Sequence, residues 1–282
     1  MSTRLFVGTR HLSALMLAAL LVCAAPVARG SNISFVDSFR NDSFTQTGNG
    51  NSLSSGGSFY SSDLFEKSPG GFYTTVNMTY PGPGSPVGLS ATSPTNFHFQ
   101  TPGLANQAAM DAAFPFGTYT FTTNNGDTAS YAYSADDYAR SRPYLTGTDF
   151  SSLQGMNPGN AFTFDLSPYV TGPTANFSFI FLTIFDFNLG TFVFNDAFLP
   201  STTTSITLPA GTLAYGHSFS YEIDYSNRDL VPSPGGAFDA QLGFDLRTHG
   251  TFTSEQRPVP EPATLALLAL GLAGLGFSRR KQ

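Results

Sequence analysis

A mainly β fold, an antiparallel β-sandwich of the immunoglobulin-like or jelly-roll-like kind, is what this sequence predicts, on three observations. Aromatic and β-branched residues alternate with polar ones at a period of two along most of the chain. Charged residues make up 11% and aromatics 14%, with Ser, Thr, Gly and Asn abundant, a composition of strands joined by tight turns and too rich in rings for disorder. The alternating segments are short and regularly spaced, as in sandwiches and barrels.

The chain divides into three parts: 1–30, 31–258 and 259–282. Arg4 and Arg10 precede an apolar stretch at 12–25 that is too short to span a bilayer and is followed by small residues, the pattern of a secretory signal peptide cut after Ala28 or Gly30. Cys23 lies inside it behind Val22, where a lipoprotein signal would want a small residue, so lipidation is not expected and the mature chain has no thiol. The body from 31 to 258 must therefore stand on its own core without disulfides, and it is long enough to do so. Its N-terminal portion, 41–57, offers Ser, Gly and Asn and little to bury, and reads as a flexible loop.

Further on, 73–80 and Phe97-His98-Phe99 read as strands, and 104–114, with Ala108, Ala109, Ala112 and Ala113, as a short helix capping one end. Thr118-Tyr119-Thr120-Phe121-Thr122 and Ala129-Ser130-Tyr131-Ala132-Tyr133 flank the turn residues Asn124-Asn125-Gly126-Asp127 and predict a hairpin. The alternation recurs at Phe162/Phe164/Leu166, Phe177/Phe179/Phe181, Phe192/Phe194, Ile206/Leu208, Phe219/Tyr221/Ile223/Tyr225 and Leu242/Phe244/Leu246.

The tail joins a stiff polar strip, Val259-Pro260-Glu261-Pro262, to an uncharged run at 265–277 and a basic stop, Arg279, Arg280 and Lys281. As a helix, 263–278 would rise about 24 Å against a hydrocarbon core of about 30 Å, a single transmembrane helix short enough to need thinning or snorkelling cations. The cations hold the stop on the cytoplasmic side and so place the body outside. Each proline lacks an amide donor and keeps its predecessor extended, so the strip is a peptide presented for proteolysis.

This three-part tail resembles the PEP-CTERM protein-sorting signal of Gram-negative bacteria. The segments Phe114-Pro115-Phe116-Gly117-Thr118-Tyr119-Thr120-Phe121, Leu208-Pro209-Ala210-Gly211-Thr212-Leu213 and Tyr221-Glu222-Ile223-Asp224-Tyr225 are similar to ones common in the β-rich ectodomains of such proteins. The resemblance implies export by the general secretion machinery, a transient stay in the inner membrane with the body in the periplasm, and cleavage by exosortase. Delivery to the cell surface or medium follows, in a bacterium that makes exopolysaccharide. It implies no catalytic activity for the body.

Chemistry is sparse. The body carries 18 acidic and 7 basic residues, a net charge of −11, which excludes nucleic acid as a partner. His98, His217 and His249 are scattered, without the spacing of a zinc site, and no G-x-S-x-G elbow is present, so neither a metal nor a catalytic residue is expected. A hidden enzyme would show instead as a pocket where two or more of His98, His217, Asp186 and Glu222 converge. Asp136-Asp137 and 224–229, read as hairpin turns, leave calcium as the one cofactor with any oxygen donors to hold it. Tyr131, Tyr133, Tyr138 and Tyr144 crowd around Asp136, Asp137, Arg140 and Arg142, rings beside planar polar groups as in a sugar-binding face, so Tyr131, Tyr133, Tyr138 and Arg140 are the candidate contacts for matrix polysaccharide. Two functional classes follow: a non-catalytic envelope or biofilm-matrix protein, and a secreted carbohydrate-binding module or hydrolase using the same exit route.

Overall fold

The computed structural model describes residues 31–134, 136–232 and 239–257, with Leu267, Leu268, Leu270 and Leu272 beyond them. The strands are β1 (Ile33–Gln46), β2 (Leu53–Glu66), β3 (Val76–Thr79), β4 (Val87–Ser93), β5 (Asn96–Gln100), β6 (Gly117–Thr123), β7 (Thr128–Tyr133), β8 (Phe162–Asp165), β9 (Phe177–Asp186), β10 (Thr191–Pro200), β11 (Ser205–Leu208), β12 (Ser218–Pro232) and β13 (Asp239–Thr253). Within residues 31–257 the described helices are α1 (Gln107–Ala113) and α2 (Asp149–Leu153). Eleven strands form one sheet in the order β10-β9-β12-β13-β1-β2-β5-β4-β3-β6-β7, and β11 pairs with β8 separately.

The mainly β class is as expected; the arrangement differs from an immunoglobulin or jelly-roll pattern. The large sheet is mixed, because β1 runs parallel to β13 from Phe35 opposite Asp239 to Thr45 opposite His249. It bends over itself at β4, whose first half pairs with β3 (Val76 opposite Leu89) and whose second half pairs with β5 (Ser90 opposite His98), with a bulge between Ala91 and Ser93. The bend lays β6 and β7 over β1 and β2. Tyr60 stacks on Phe114 at 4.4 Å and on Tyr119 at 5.8 Å, while Tyr133 meets Phe244 edge-on at 5.4 Å. β8 and β11 cover the neighbouring part of the same face, where Phe164 approaches Tyr221 at 6.5 Å and Tyr169 stacks on Tyr225 at 4.5 Å.

The predicted hairpin is present, with Tyr119 opposite Tyr131 and Phe121 opposite Ala129. The predicted helix is α1, capped by the Asn106 side chain, which accepts from the Ala109 amide at 2.9 Å, and seated by buried Met110. The strand expected over 73–80 shortens to β3. The loop expected over 41–57 does not exist beyond the six-residue turn between β1 and β2. Polar side chains of this stretch lie inside the paired strands, and two of them find polar partners there: Asp42 accepts from Ser58 Oγ at 2.7 Å, and Gln46 donates to Leu145 O at 3.0 Å and accepts from Tyr221 Oη at 2.8 Å. Residues 224–229, read as a turn, fall within β12, and Asp224, Ser226, Asn227 and Arg228 are buried. Among the described residues no helix is long and apolar enough to cross a membrane. The expected signal peptide, the Val259–Pro262 strip and the basic stop lie outside the described residues, and Leu267, Leu268, Leu270 and Leu272 are helical and exposed.

The covered face of β1 is polar at its centre. Arg40, wholly buried, donates to Asp111 Oδ1 at 2.7 Å and to Phe114 O, and its guanidinium lies over the rings of Phe116 at 4.4 Å and Tyr133 at 4.8 Å. Next to it, Ser38 Oγ meets Tyr60 Oη at 2.9 Å, Ser62 Oγ at 2.6 Å and Tyr131 Oη, and Ser38 O accepts from Tyr133 Oη at 2.6 Å. On the opposite face a charged band crosses four strands. Arg228 pairs with Asp245 beneath the rings of Phe39 and Phe179, and Arg247 reaches Asp224 and Asp245 at 3.1 Å each. Asp37 stands opposite Asp63 in the same band.

Replacing Arg40 by Ala leaves the Asp111 carboxyl and the Phe114 carbonyl without their donor and opens a void between the layers, so the denaturant midpoint should drop by the equivalent of about 3 kcal/mol. Burial first, and the Asp63 carboxylate next, push Asp37 from 3.8 up to about 8. Unfolded, the group loses its proton near its ordinary value; folded, it keeps it to much higher pH, so folding takes up a proton between the two. Stability should therefore fall as pH rises through that window. Asp37→Asn should flatten the slope of urea midpoint against pH between 5 and 8.

Candidate functional site

The fold separates the three tyrosines expected to face a sugar from Arg140. Tyr131, Tyr133 and Tyr138 are buried, at 4%, 1% and 2% exposure, because the bend at β4 turns the β7 face inward. Burial pushes all three phenols well above their ordinary range. Arg140 stays at the surface, half exposed, paired with Asp136 at 3.3 Å and donating to Asp136 O at 3.1 Å. Period-two alternation identifies the rings but does not say which side a second layer will cover, so the aromatic platform is core and Arg140 is the only member of the set left at the surface.

Beside Arg140 lies a groove of about 460 Å³ between α1, β1 and β2, lined by Asp42, Ser55, Asn106, Gln107, Asp111 and Arg142 among others. A second recess of about 250 Å³ continues it past Asp42, Gln107 and Arg142 to Arg140 and Asp136. The parts come from different elements. Asp42 projects from β1, Asp111 from α1 where Arg40 anchors it, and Arg142 follows β7 and packs its guanidinium over Phe44 at 4.3 Å. Burial lifts the Asp42 carboxyl above its ordinary value against the pull of its Ser58 hydrogen bond and of Arg142. Burial lifts Asp111 as well, against Arg40. Two carboxyls, two amides, a hydroxyl and a stacked guanidinium along one trough offer donors and acceptors to a polyhydroxylated ligand. The sequence reading named Arg142 and missed Asp42, Asn106, Gln107 and Asp111, whose convergence depends on α1 crossing β1.

Several of the oxygen donors considered for calcium make hydrogen bonds or ion pairs within the protein. Asp136 Oδ1 accepts from Tyr138 N at 3.1 Å, and buried Asp137 Oδ1 accepts from Thr174 N at 2.8 Å. Asp224 faces Arg247 within β12 and β13. Among the described residues no three His, Cys, Asp or Glu side chains gather as a metal site.

The three histidines each meet one carboxylate: His98 Nδ1 and Asp63 at 2.9 Å, His217 Nδ1 and Asp186 at 2.8 Å, His249 Nδ1 and Glu222 at 3.2 Å. His217 and Asp186 thus do converge, but away from the groove, as a clamp on the β9–β10 turn. Asp186 Oδ1 accepts from Asn188 N at 2.8 Å and Leu189 N at 3.1 Å, and its Oδ2 holds His217. Burial raises the Asp186 pKa, yet these hydrogen bonds outweigh it and leave the carboxyl below its ordinary value.

No curated protein matches the chain. Among solved structures, a biofilm-associated protein (BSP domain) matches at 12% identity and TM-score 0.21, over 81% of this chain and 30% of that one. Trypsin-activated alpha-2-macroglobulin from Escherichia coli matches at 11% identity and TM-score 0.25, over 79% and 16%. The chain thus spans less than a third of the length of either, and likenesses this low carry no functional weight. Residues 258–281 match the PEP-CTERM protein-sorting motif. The chain therefore carries a PEP-CTERM protein-sorting motif at its C-terminal end, and that motif implies an exported, membrane-transiting protein processed by exosortase.

Proposed function

We propose that this chain is a non-catalytic protein of the cell envelope or extracellular matrix. It is anchored in the inner membrane by the 265–277 run with its body in the periplasm, then cut by exosortase near Val259-Pro260-Glu261-Pro262 and passed to the cell surface or medium. The sorting motif at 258–281 carries this reading. Supporting it, the strip follows the last strand closely: β13 ends at Thr253, and Arg257 is already beyond the sheet. A short extended segment between a packed strand and the lipid gives a membrane protease its substrate, and Arg279, Arg280 and Lys281 hold the stop on the cytoplasmic side. The absence of an enzymatic role is part of the proposal; it is supported by histidines that serve single carboxylates outside the groove.

A second reading, a carbohydrate-binding module travelling the same route, is favoured by the Asp42–Asp111–Arg142 groove. It places polysaccharide contact there and not on the buried tyrosines.

Two measurements test these readings. Replacing Pro260 and Pro262 by Ala removes two residues that each cost a helix about 3 kcal/mol, so the apolar helix extends through Glu261 and the strip is withdrawn. Full-length protein should then accumulate in the inner-membrane fraction of the producing cell, and release at the parental level would contradict the sorting role. For the second reading, matrix polysaccharide should be retained by the parent chain and lost on Arg142→Ala combined with Asp42→Asn; equal retention by both would remove the groove as a sugar site.

A further inference from the structure

The β9–β10 hairpin ends in an uncharged apolar tip. From 187 to 194 the sequence is Phe-Asn-Leu-Gly-Thr-Phe-Val-Phe, without an ionisable group. Phe187, Leu189 and Phe192 are 55%, 61% and 62% exposed, and Phe185 packs against both Phe187 and Phe192 at 5.7 and 5.2 Å. Exposed apolar clusters of this kind mark interaction surfaces.

Its position in the fold points to the occupant. The chain leaves the body beside this tip. After β13, Ser254 N donates to His217 O at 3.0 Å and Glu255 O accepts from Gly216 N at 2.8 Å, so the exit segment is tied to the start of β12. His217 holds Asp186, and Asp186 holds the amides of the turn, while Ser218 N donates to Asn188 Oδ1 at 2.9 Å and Phe187 N to Ser218 O at 3.0 Å. The tip is thereby fixed relative to the point where the chain departs, three inter-strand spacings or about 15 Å across the sheet. From Arg257 the apolar run begins at Leu265, at most about 28 Å of extended chain away. A body tethered to a bilayer by that run presents its exit end, and this tip with it, toward the lipid.

We propose that the tip formed by Phe187, Leu189 and Phe192 inserts into the lipid interface and orients the body on the membrane from which it is sorted. The proposal deepens the sorting reading, since it rests on the 265–277 run lying in lipid. An interfacial contact made only of rings and an aliphatic side chain needs no charge and no partner strand. Strand addition by a second copy suits the edge poorly: β10 is broken in register between Phe192 and Phe194 and between Asp196 and Leu199, holds Phe198 at φ 58° and ends at Pro200.

The chain contains no tryptophan, so one introduced indole reports alone. Full-length protein carrying Leu189→Trp, Asn125→Trp or Phe277→Trp is reconstituted into vesicles of phosphatidylethanolamine and phosphatidylglycerol with and without brominated acyl chains. Asn125 lies in the β6–β7 turn, at the opposite end of the sheet. The expected result is quenching of about twofold or more and a blue-shifted emission for Leu189→Trp, with Asn125→Trp unaffected. Unquenched Leu189→Trp beside quenched Phe277→Trp overturns the docking and leaves the tail reading intact. Quenched Leu189→Trp beside unquenched Phe277→Trp upholds the docking and overturns the tail reading; if neither is quenched, both fall. A blue shift without quenching that grows with protein concentration assigns the tip to a second copy and overturns the proposal.

Discussion

A buried cation organises the body. Arg40 sits on a central strand with no access to water, and a guanidinium there is tolerable only if its hydrogens and charge are met by protein. What meets it arrives from outside its own sheet neighbourhood: the Asp111 carboxylate and the Phe114 carbonyl from α1 and its end, and the rings of Phe116, just before β6, and Tyr133, at the end of β7. The bend at β4 and the seating of α1 are thus tied to one side chain. Ser38, two residues earlier on the same face, repeats the logic with hydroxyls, joining β1, β2 and β7. The layers are held together by directional polar contacts set in a frame of stacked tyrosines, which fixes one register where rings alone would allow several.

The sequence was legible where residues answer to their neighbours. The β6–β7 hairpin needs only alternating rings around Asn124–Asp127, and α1 needs only its alanines and a capping Asn106. β1 and β2 were unreadable because their polar residues have partners far away: Ser38 with Tyr131, Asp42 with Ser58, Gln46 with Leu145 and Tyr221. Without those partners Ser, Asn and Asp look like loop. The same distance effect conceals the parallel pairing of β1 with β13, since a strand's own alternation carries no record of which strand lies beside it. It also misdirects the sugar-binding expectation, because Tyr131 and Tyr133 have the same spacing whether they face solvent or a second layer. The groove that replaces them was half visible through Arg140 and Arg142, while its carboxyls depend on a crossing of helix and strand.

Body and tail meet in a short, well-anchored stretch. Glu255 N donates to Met156 O at 2.8 Å and Ser254 Oγ to Ala214 O at 2.7 Å, so the fold holds the chain almost to the sorting motif. Only Ser254 to Pro258 separate the last strand from the proline strip, so the proposed cut at the strip falls close in sequence to the folded domain. The body tolerates this because its core closes on residues upstream of 254, with Phe252 already stacked on Phe219 at 5.1 Å. Among the described residues beyond the strip, Leu267, Leu268, Leu270 and Leu272 are exposed and none belongs to that core.

The central claim is that this chain is exported and then cut at its motif. Intact mass spectrometry of the protein recovered from the surface or medium of the producing cell tests it most directly. The account predicts a mass lacking both the residues up to about 30 and those beyond the Pro260–Pro262 strip, plus any group attached at the cut. Recovery of the unprocessed 282-residue chain from that compartment would contradict it.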